Sequence, residues 1–319
     1  MKHKVVAVGE VLWDLLPEGP QLGGAPANFA YHCRNLGADA RLVTRVGDDD
    51  RGRGVFDRFR ELGLPTENVQ VDPRRPTGTV AVRLDAGQPH YTICADVAWD
   101  EIDADPAALD LIREADAVCF GSLAQRAEVS RRSIRTLVAA ARPGAFRVFD
   151  VNLRAPFVDR AIVAESLGLA NVLKLNEHEL PELAAMFGLP AAAEVRPAML
   201  GLARQFGLSL VALTRGGAGS LLMAADGVWA DHPGVDPVAL VDAIGAGDAF
   251  TAALVVGLLA GRPLEAINAH ANDVAAFVCS QPGATPALPE SLRSPVAPAP
   301  SSAPANAPSP CDVAIGDRS

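Results

Sequence analysis

The sequence predicts an α/β protein: a largely parallel sheet with helices packed against it, plus a small β lid. Three observations carry this. Short apolar runs that read as buried strands alternate with helical segments of about a dozen residues, the rhythm of right-handed crossovers. Glycine-rich turns stand directly before apolar helices near both ends of the 319-residue chain. One stretch breaks the rhythm. Residues 77–100 alternate apolar and polar side chains around an AGQP turn, the pattern of an antiparallel hairpin with one uncovered face, which has no place inside a parallel sheet.

In chain order, KVVAVG (4–9) is a buried first strand ending in glycine. Asp14 follows in WDLLP, where an acid at the carboxyl edge of a strand either grips ligand hydroxyls or is a solvated loop acid. In QLGGAPANFAYHCRNLGA (21–38), Gly23 and Gly24 allow close backbone approach and Pro26 suits a first helical turn. The helix runs to Leu36 and stops at Gly37, with Asn28 in its first turn facing the glycine loop. Residues 41–46 form another strand, with a helix after them through Leu62. The hairpin comes next, and its place outside the sheet makes it the lid, joined by residues 11–17. A lid serves phosphoryl transfer by excluding water as a competing acceptor, and the same sheet serves equally as a dimer interface.

From Asp116 the rhythm resumes with strands AVCFGS, FRVFD and NVLKLN separated by helices. Arg154 follows the strand ending at Asp150, as a phosphoryl clamp or a surface arginine. Asn176 and Glu179 in KLNEHEL form a capping box, with a water-mediated magnesium role for Glu179 as the functional alternative. SLVAL (209–213) leads into TRGGAGS, where Thr214, Arg215, Gly216 and Gly219 make either a phosphate-binding turn or a plain hairpin into LLMAA. A late helix over 263–280 carries Asn272, a candidate nucleotide contact.

The densest chemistry lies in VDAIGAGDAFT (241–251). Gly245, Ala246 and Gly247 feed a helix start, where small residues expose backbone N–H groups and the helix dipole favours an anion. A carboxylate there repels the phosphate that the glycines invite. Asp248 is therefore either a general base for a hydroxyl attacking a phosphoryl group, or simply a helix cap.

Composition narrows the classes. A net charge of −10 without a basic run argues against a nucleic-acid partner. Five scattered cysteines without CxxC pairs read as reduced thiols of a cytoplasmic protein. No signal or membrane-spanning segment is evident, and the missing GxGxxG after the first strand counts against a nicotinamide enzyme. The chain reads as one domain over residues 1–285 and a Pro/Ala/Ser-rich, disordered tail over 286–319.

GGAPANFAYHCRNLG, KLNEHEL, TRGGAG and VDAIGAGDAF, in that order, resemble the ribokinase-like (PfkB) carbohydrate kinases over residues 4 to about 285. Within that family, the hairpin, DVAWD and DVNLR are most similar to bacterial fructokinases. The resemblance implies a three-layer α/β/α sandwich with a β lid, a dimer through that lid, and transfer of the ATP γ-phosphoryl to a sugar hydroxymethyl group with magnesium. Asp248 then matches the catalytic base and Gly245, Ala246 and Gly247 the anion hole, while Arg154 approaches the transferred phosphate. Asp14, Gly24 and Asn28 match sugar contacts. Asn176, Thr214, Arg215, Gly216, Gly219 and Asn272 match nucleotide-binding positions, and Glu179 matches the magnesium-associated acid. Ala243 departs from the family's DTxGAGD pattern, which puts the tuning of the loop, and of any potassium site beside it, in question. Two other readings stay open: a kinase for ribose, 2-keto-3-deoxygluconate or a nucleoside, and a catalytically silent sugar-binding regulator.

Overall fold

Each strand of the main sheet sends alternate side chains to opposite faces, and here both faces are apolar. In a computed structural model that describes residues 2–16, 19–85 (backbone only from 82), 88–157 (backbone only to 91), 159–190, 194–235 and 240–293, the chain runs β1 (Lys4–Val8), β2 (Leu12–Leu16), β3 (Gly19–Gly23), α1 (Ala25–Asn35), β4 (Asp39–Gly47), α2 (Asp50–Glu61), β5 (Val69–Asp72), β6 (Thr79–Asp85) and β7 (Gln88–Ile93). Then come α3 (Pro106–Arg113), β8 (Ala117–Gly121), α4 (Glu128–Ala139), β9 (Phe146–Asp150), α5 (Arg160–Leu169), β10 (Val172–Asn176), α6 (Glu179–Phe187) and α7 (Val195–Phe206). The chain continues with β11 (Leu210–Thr214), β12 (Ser220–Ala224), β13 (Trp229–His232), α8 (Ala246–Leu259), α9 (Leu264–Cys279) and α10 (Glu290–Arg293).

Nine strands form one sheet in the order β13-β12-β11-β10-β9-β8-β1-β4-β5. Its pairs are parallel except β11–β12 and β12–β13. Val5, Ala7, Leu42, Cys119 and Val148 face one core with Phe29, Phe59, Phe250 and Ile267 from α1, α2, α8 and α9. Val6, Val8, Val43, Phe120 and Phe149 face the other, with residues of α3 to α7. A strand buried on both sides loses little by being apolar throughout, and each fully buried Leu or Phe contributes roughly 1.5–3 kcal/mol. The result is the three-layer α/β/α sandwich.

The chain builds β4 and β5 on one side of β1, then returns to lay β8 to β13 on the other. Loops after β1 and β8 therefore diverge, opening a crevice at the carboxyl ends of these two strands, where open α/β sheets bind ligands. Over it stands a second sheet in the order β3-β2-β6-β7. It is rooted through the Trp13 indole Nε1–H, which donates to the Arg51 carbonyl of α2 at 3.0 Å, and through Trp99, which is fully buried. The Arg126 guanidinium lies 3.8 Å over the Trp99 ring and pairs with Asp100. The hairpin predicted over residues 77–100 is thus the β6–β7 pair.

Several expectations need correction. Residues 19–23, for which no strand was read from the sequence, form β3 against β2, because pairing with a neighbour outweighs the weak strand propensity of GPQLG. The tail does not begin at 286: Leu288 is fully buried and the Leu292 carbonyl lies 2.9 Å from His270 Nε2, so ordered chain continues through α10. The rest of the tail, including Cys311, lies outside the described residues. Strands β5 and β13 and helices α3 and α7 were not read from the sequence. The four described cysteines, Cys33, Cys94, Cys119 and Cys279, are free. Among the described residues no helix is long and apolar enough to cross a membrane.

Candidate active site

Glycine chemistry shapes the crevice. Gly245 sits before α8 at φ 77°, and a Cβ there would lie 2.6 Å from the Ala284 carbonyl oxygen and 2.8 Å from its Cα. Only glycine turns the chain here while packed on backbone. His32 Nε2 lies 2.9 Å from that same carbonyl oxygen and donates to it; burial holds the imidazole down to about 4, so it is neutral. The N–H groups of the first turn of α8 have no partner within the helix, and that of Ala246 donates to the Ala243 carbonyl at 3.4 Å.

Gly24, the N-cap of α1 at φ 110°, packs its Cα against the Glu10 carbonyl, where a Cβ would come to 2.6 Å. Gly23 makes room for Asp14, whose Oδ2 would lie 2.5 Å from a Cβ. Burial raises the Asp14 carboxyl above its ordinary value. The paired glycines thus clear space for an acid on the lid and for the backbone of the β1 loop.

The two glycine loops bring their helix starts together. Asn28 Nδ2 on α1 donates to Asp248 Oδ2 on α8 at 2.9 Å, across 220 residues of sequence. Burial first, and the negative charge of Asp150 next, push Asp248 up to about 7; the Asn28 bond and the Lys174 charge work against the rise. A carboxyl poised there exchanges protons readily near neutral pH.

Beneath the loop lies a buried polar cluster. Lys174 Nζ on β10 pairs with Asp150 Oδ1 at 3.1 Å, and Thr251 Oγ1 donates to Asp150 Oδ2 at 2.9 Å. Burial opposes the Lys174 charge, but Asp150, Glu179 and Asp248 outweigh it and hold the ammonium above its ordinary value. Lys174 Nζ would be 3.2 Å from a Cβ on Gly247, so it stands directly against the first turn of α8. Neither Lys174 nor Asp150 was named as functional from the sequence; the available signal was a lysine inside the otherwise apolar strand VLKLN.

The capping box is realised. Asn176 Oδ1 accepts from the His178 and Glu179 N–H groups, and Glu179 Oε2 accepts from the Asn176 N–H at 2.8 Å. Glu179 Oε1 accepts from the Leu153 N–H at 2.9 Å, fastening the loop that carries Arg154. Arg154 is exposed, its Nη1 donating to the Leu153 carbonyl.

The TRGGAG turn closes the β11–β12 hairpin, with Thr214 opposite Ser220. A Cβ on Gly219 would fall 2.0 Å from the His232 carbonyl oxygen, so this glycine is demanded by packing. Two candidate nucleotide contacts have internal partners instead. Arg215 Nη2 bonds Asp231 Oδ1 at 2.5 Å and the Ser220 and His232 carbonyls, holding β13 in place. Asn272 is buried, donating to Ser220 Oγ at 2.7 Å and to the Asn268 carbonyl. Arg215 thus pairs across the sheet edge and Asn272 ties α9 to β12, contacts invisible in a linear motif.

An αL glycine turn, the head of a 14-residue helix and a Cβ-free approach at Gly247 suit a phosphate chain. Among the described residues no three His, Cys, Asp or Glu side chains converge to cage a metal. A divalent ion fits here only as one held by phosphate and water.

A large, mostly parallel sheet with a small second sheet is the fold this chain shares with solved ribokinase-like structures. The chain belongs to the pfkB family of carbohydrate kinases: the profile of that description matches residues 19–291. It is 31% identical to a fructokinase of Klebsiella pneumoniae, covering 91% of this chain and 97% of the relative. It is 28% identical to the aminoimidazole riboside kinase of Salmonella typhimurium, covering 90% and 92%. An uncharacterized sugar kinase from Pyrococcus horikoshii in complex with ATP superimposes with a TM-score of 0.73 at 28% identity, over 88% of this chain and 94% of that one.

Proposed function

We propose that this kinase is an ATP-dependent fructokinase in which Asp248 is the general base. The observation that carries the reading is the Asn28–Asp248 bond, which holds a carboxyl raised to about 7 inside the first turn of α8. The acceptor hydroxyl gives its proton to Asp248 as its oxygen bonds the γ-phosphorus, and the bond from that phosphorus to the departing ADP oxygen breaks. The amides of Gly245, Ala246 and Gly247, with Lys174 behind them, take up charge on the phosphoryl oxygens. Asp14, Gly24 and Asn28 hold the sugar, and Arg154 approaches the transferred group from the β9 loop.

ATP supplies the phosphoryl group, and a magnesium ion would neutralise its charge through water ordered by Glu179. Asn176, Thr214, Gly216 and Gly219 line the nucleotide side; Arg215 and Asn272 act there by holding β13 and α9. Potassium dependence and a homodimer through the lid sheet belong to the same proposal. The aminoimidazole riboside kinase relative supports a second reading, a nucleoside-like acceptor.

Coupled ADP release over fructose, ribose, 2-keto-3-deoxygluconate and nucleosides, with and without magnesium and potassium, tests both. Preference for fructose supports the first reading, and preference for a riboside replaces it with the second. Sugar binding without turnover refutes both.

A further inference from the structure

Glu10 has no part in the chemistry described so far. It leaves the end of β1 at the switch point, where Gly9 N–H donates to the Val43 carbonyl at 3.1 Å and Gly24 presses on the Glu10 carbonyl. Its side chain is 3% exposed, yet Oε2 has no hydrogen-bond donor. Native proteins seldom leave a buried carboxylate oxygen bare unless something else supplies the donor.

The same side chain lines a small cavity with Gly121, Ser122, Asn152, Asp150 and Asp248. Its volume of about 20 Å³ admits a single hydroxyl-sized group. Glu10 and Asp248 thus look onto one space: Glu10 adds to the rise of Asp248, while the Glu10 backbone N–H, the Arg154 charge, the Ala25 N–H and the Arg126 charge partly offset the burial of the Glu10 carboxyl and leave Oε2 without a donor. A cation cage is not the answer among the described residues. A neutral donor of the kind that a polyhydroxylated acceptor carries fits a space of that size beside a bare carboxyl oxygen.

We propose that Glu10 is a specificity-determining contact of the acceptor site, its Oε2 accepting a hydrogen bond from a sugar hydroxyl next to the one that Asp248 deprotonates. Glu10 then selects acceptors with two neighbouring hydroxyl groups at the reacting end. The inference rests on the kinase reading of the Asp248 site.

The test compares the full chain with Glu10→Gln and Glu10→Met, on the preferred sugar and its monodeoxy analogues, by steady-state kinetics and by calorimetric binding without ATP. In the parent, one deoxy analogue loses about 100-fold in kcat/KM and in affinity, because it leaves a buried acceptor unpaired. In Glu10→Met that penalty falls to a few-fold, with the KM for ATP within about threefold of the parent. Glu10→Gln, which keeps an acceptor oxygen and the shape, gives an intermediate value and serves alone if the methionine variant does not fold. Equal deoxy penalties in parent and variants, as expected if Glu10 holds only a trapped water, overturn the inference while sugar phosphorylation stands. A chain that neither binds nor phosphorylates any sugar overturns both.

Discussion

Replacing Asp248 by asparagine removes the ionisable oxygen while keeping the size of the side chain and an acceptor for Asn28. Asp248 rises from an ordinary value near 3.8 to about 7, chiefly through burial and then through Asp150. That gap of about three units, at about 1.4 kcal/mol each and discounted for the open side of the carboxyl, makes ionised Asp248 a burden of about 2–4 kcal/mol on the folded chain. The folded value lies above the unfolded one, so the burden is absent below about pH 4, where both states hold the proton. It grows as pH rises and is complete above about 7. Asp248→Asn should therefore be more stable than the parent by about 2–4 kcal/mol at pH 8, a difference that closes towards pH 4, when urea unfolding is followed across that range. The same substitution should cut kcat by about 100-fold or more with the KM for ATP little changed. In the parent, kcat/KM should climb through a limb near pH 7. Parallel stability curves, or turnover within tenfold of the parent, would refute the reasoning.

Removing the amide that steadies Asp248, in Asn28→Ala, should move that rising limb up by about one unit, since a hydrogen bond to a charged group is worth roughly 1.5–3 kcal/mol. A limb that stays put, or moves down, in a pH–rate profile would show that Asn28 does not tune the acid. Gly245→Ala combines about 1–2 kcal/mol of left-handed strain with about 1–3 kcal/mol of crowding against the Ala284 backbone. Urea unfolding should show a loss of about 2–5 kcal/mol and kinetics a raised KM for ATP; a loss under 0.5 kcal/mol would mean that the loop tolerates a side chain.

The strands at residues 4–9, 41–46 and 146–150, and the helices after each glycine loop, were legible because apolar periodicity and glycine punctuation are local signals. The hairpin was legible as well, since alternation marks a sheet with an open face. Strand β3 was not, because GPQLG is a strand only by virtue of β2 beside it. The capping box at Asn176 and Glu179 was readable from spacing alone, and the structure makes both of its reciprocal bonds. Arg215 and Asn272 looked the same in the sequence whether they faced a nucleotide or a neighbouring strand.

Order along the chain was enough to establish the family, since four motifs in the required succession need no geometry. Only the tertiary structure could bring Asn28 to Asp248, set Lys174 and Asp150 under the first turn of α8, and leave an oxygen of Glu10 without a donor. These are contacts between residues up to 220 positions apart, made at the carboxyl ends of a sheet whose strand order reverses at β1. Their consequences depend on burial. Taking carboxylates out of water is what displaces Asp248 towards neutrality, and burial is a property of the packed chain that no single stretch of sequence carries.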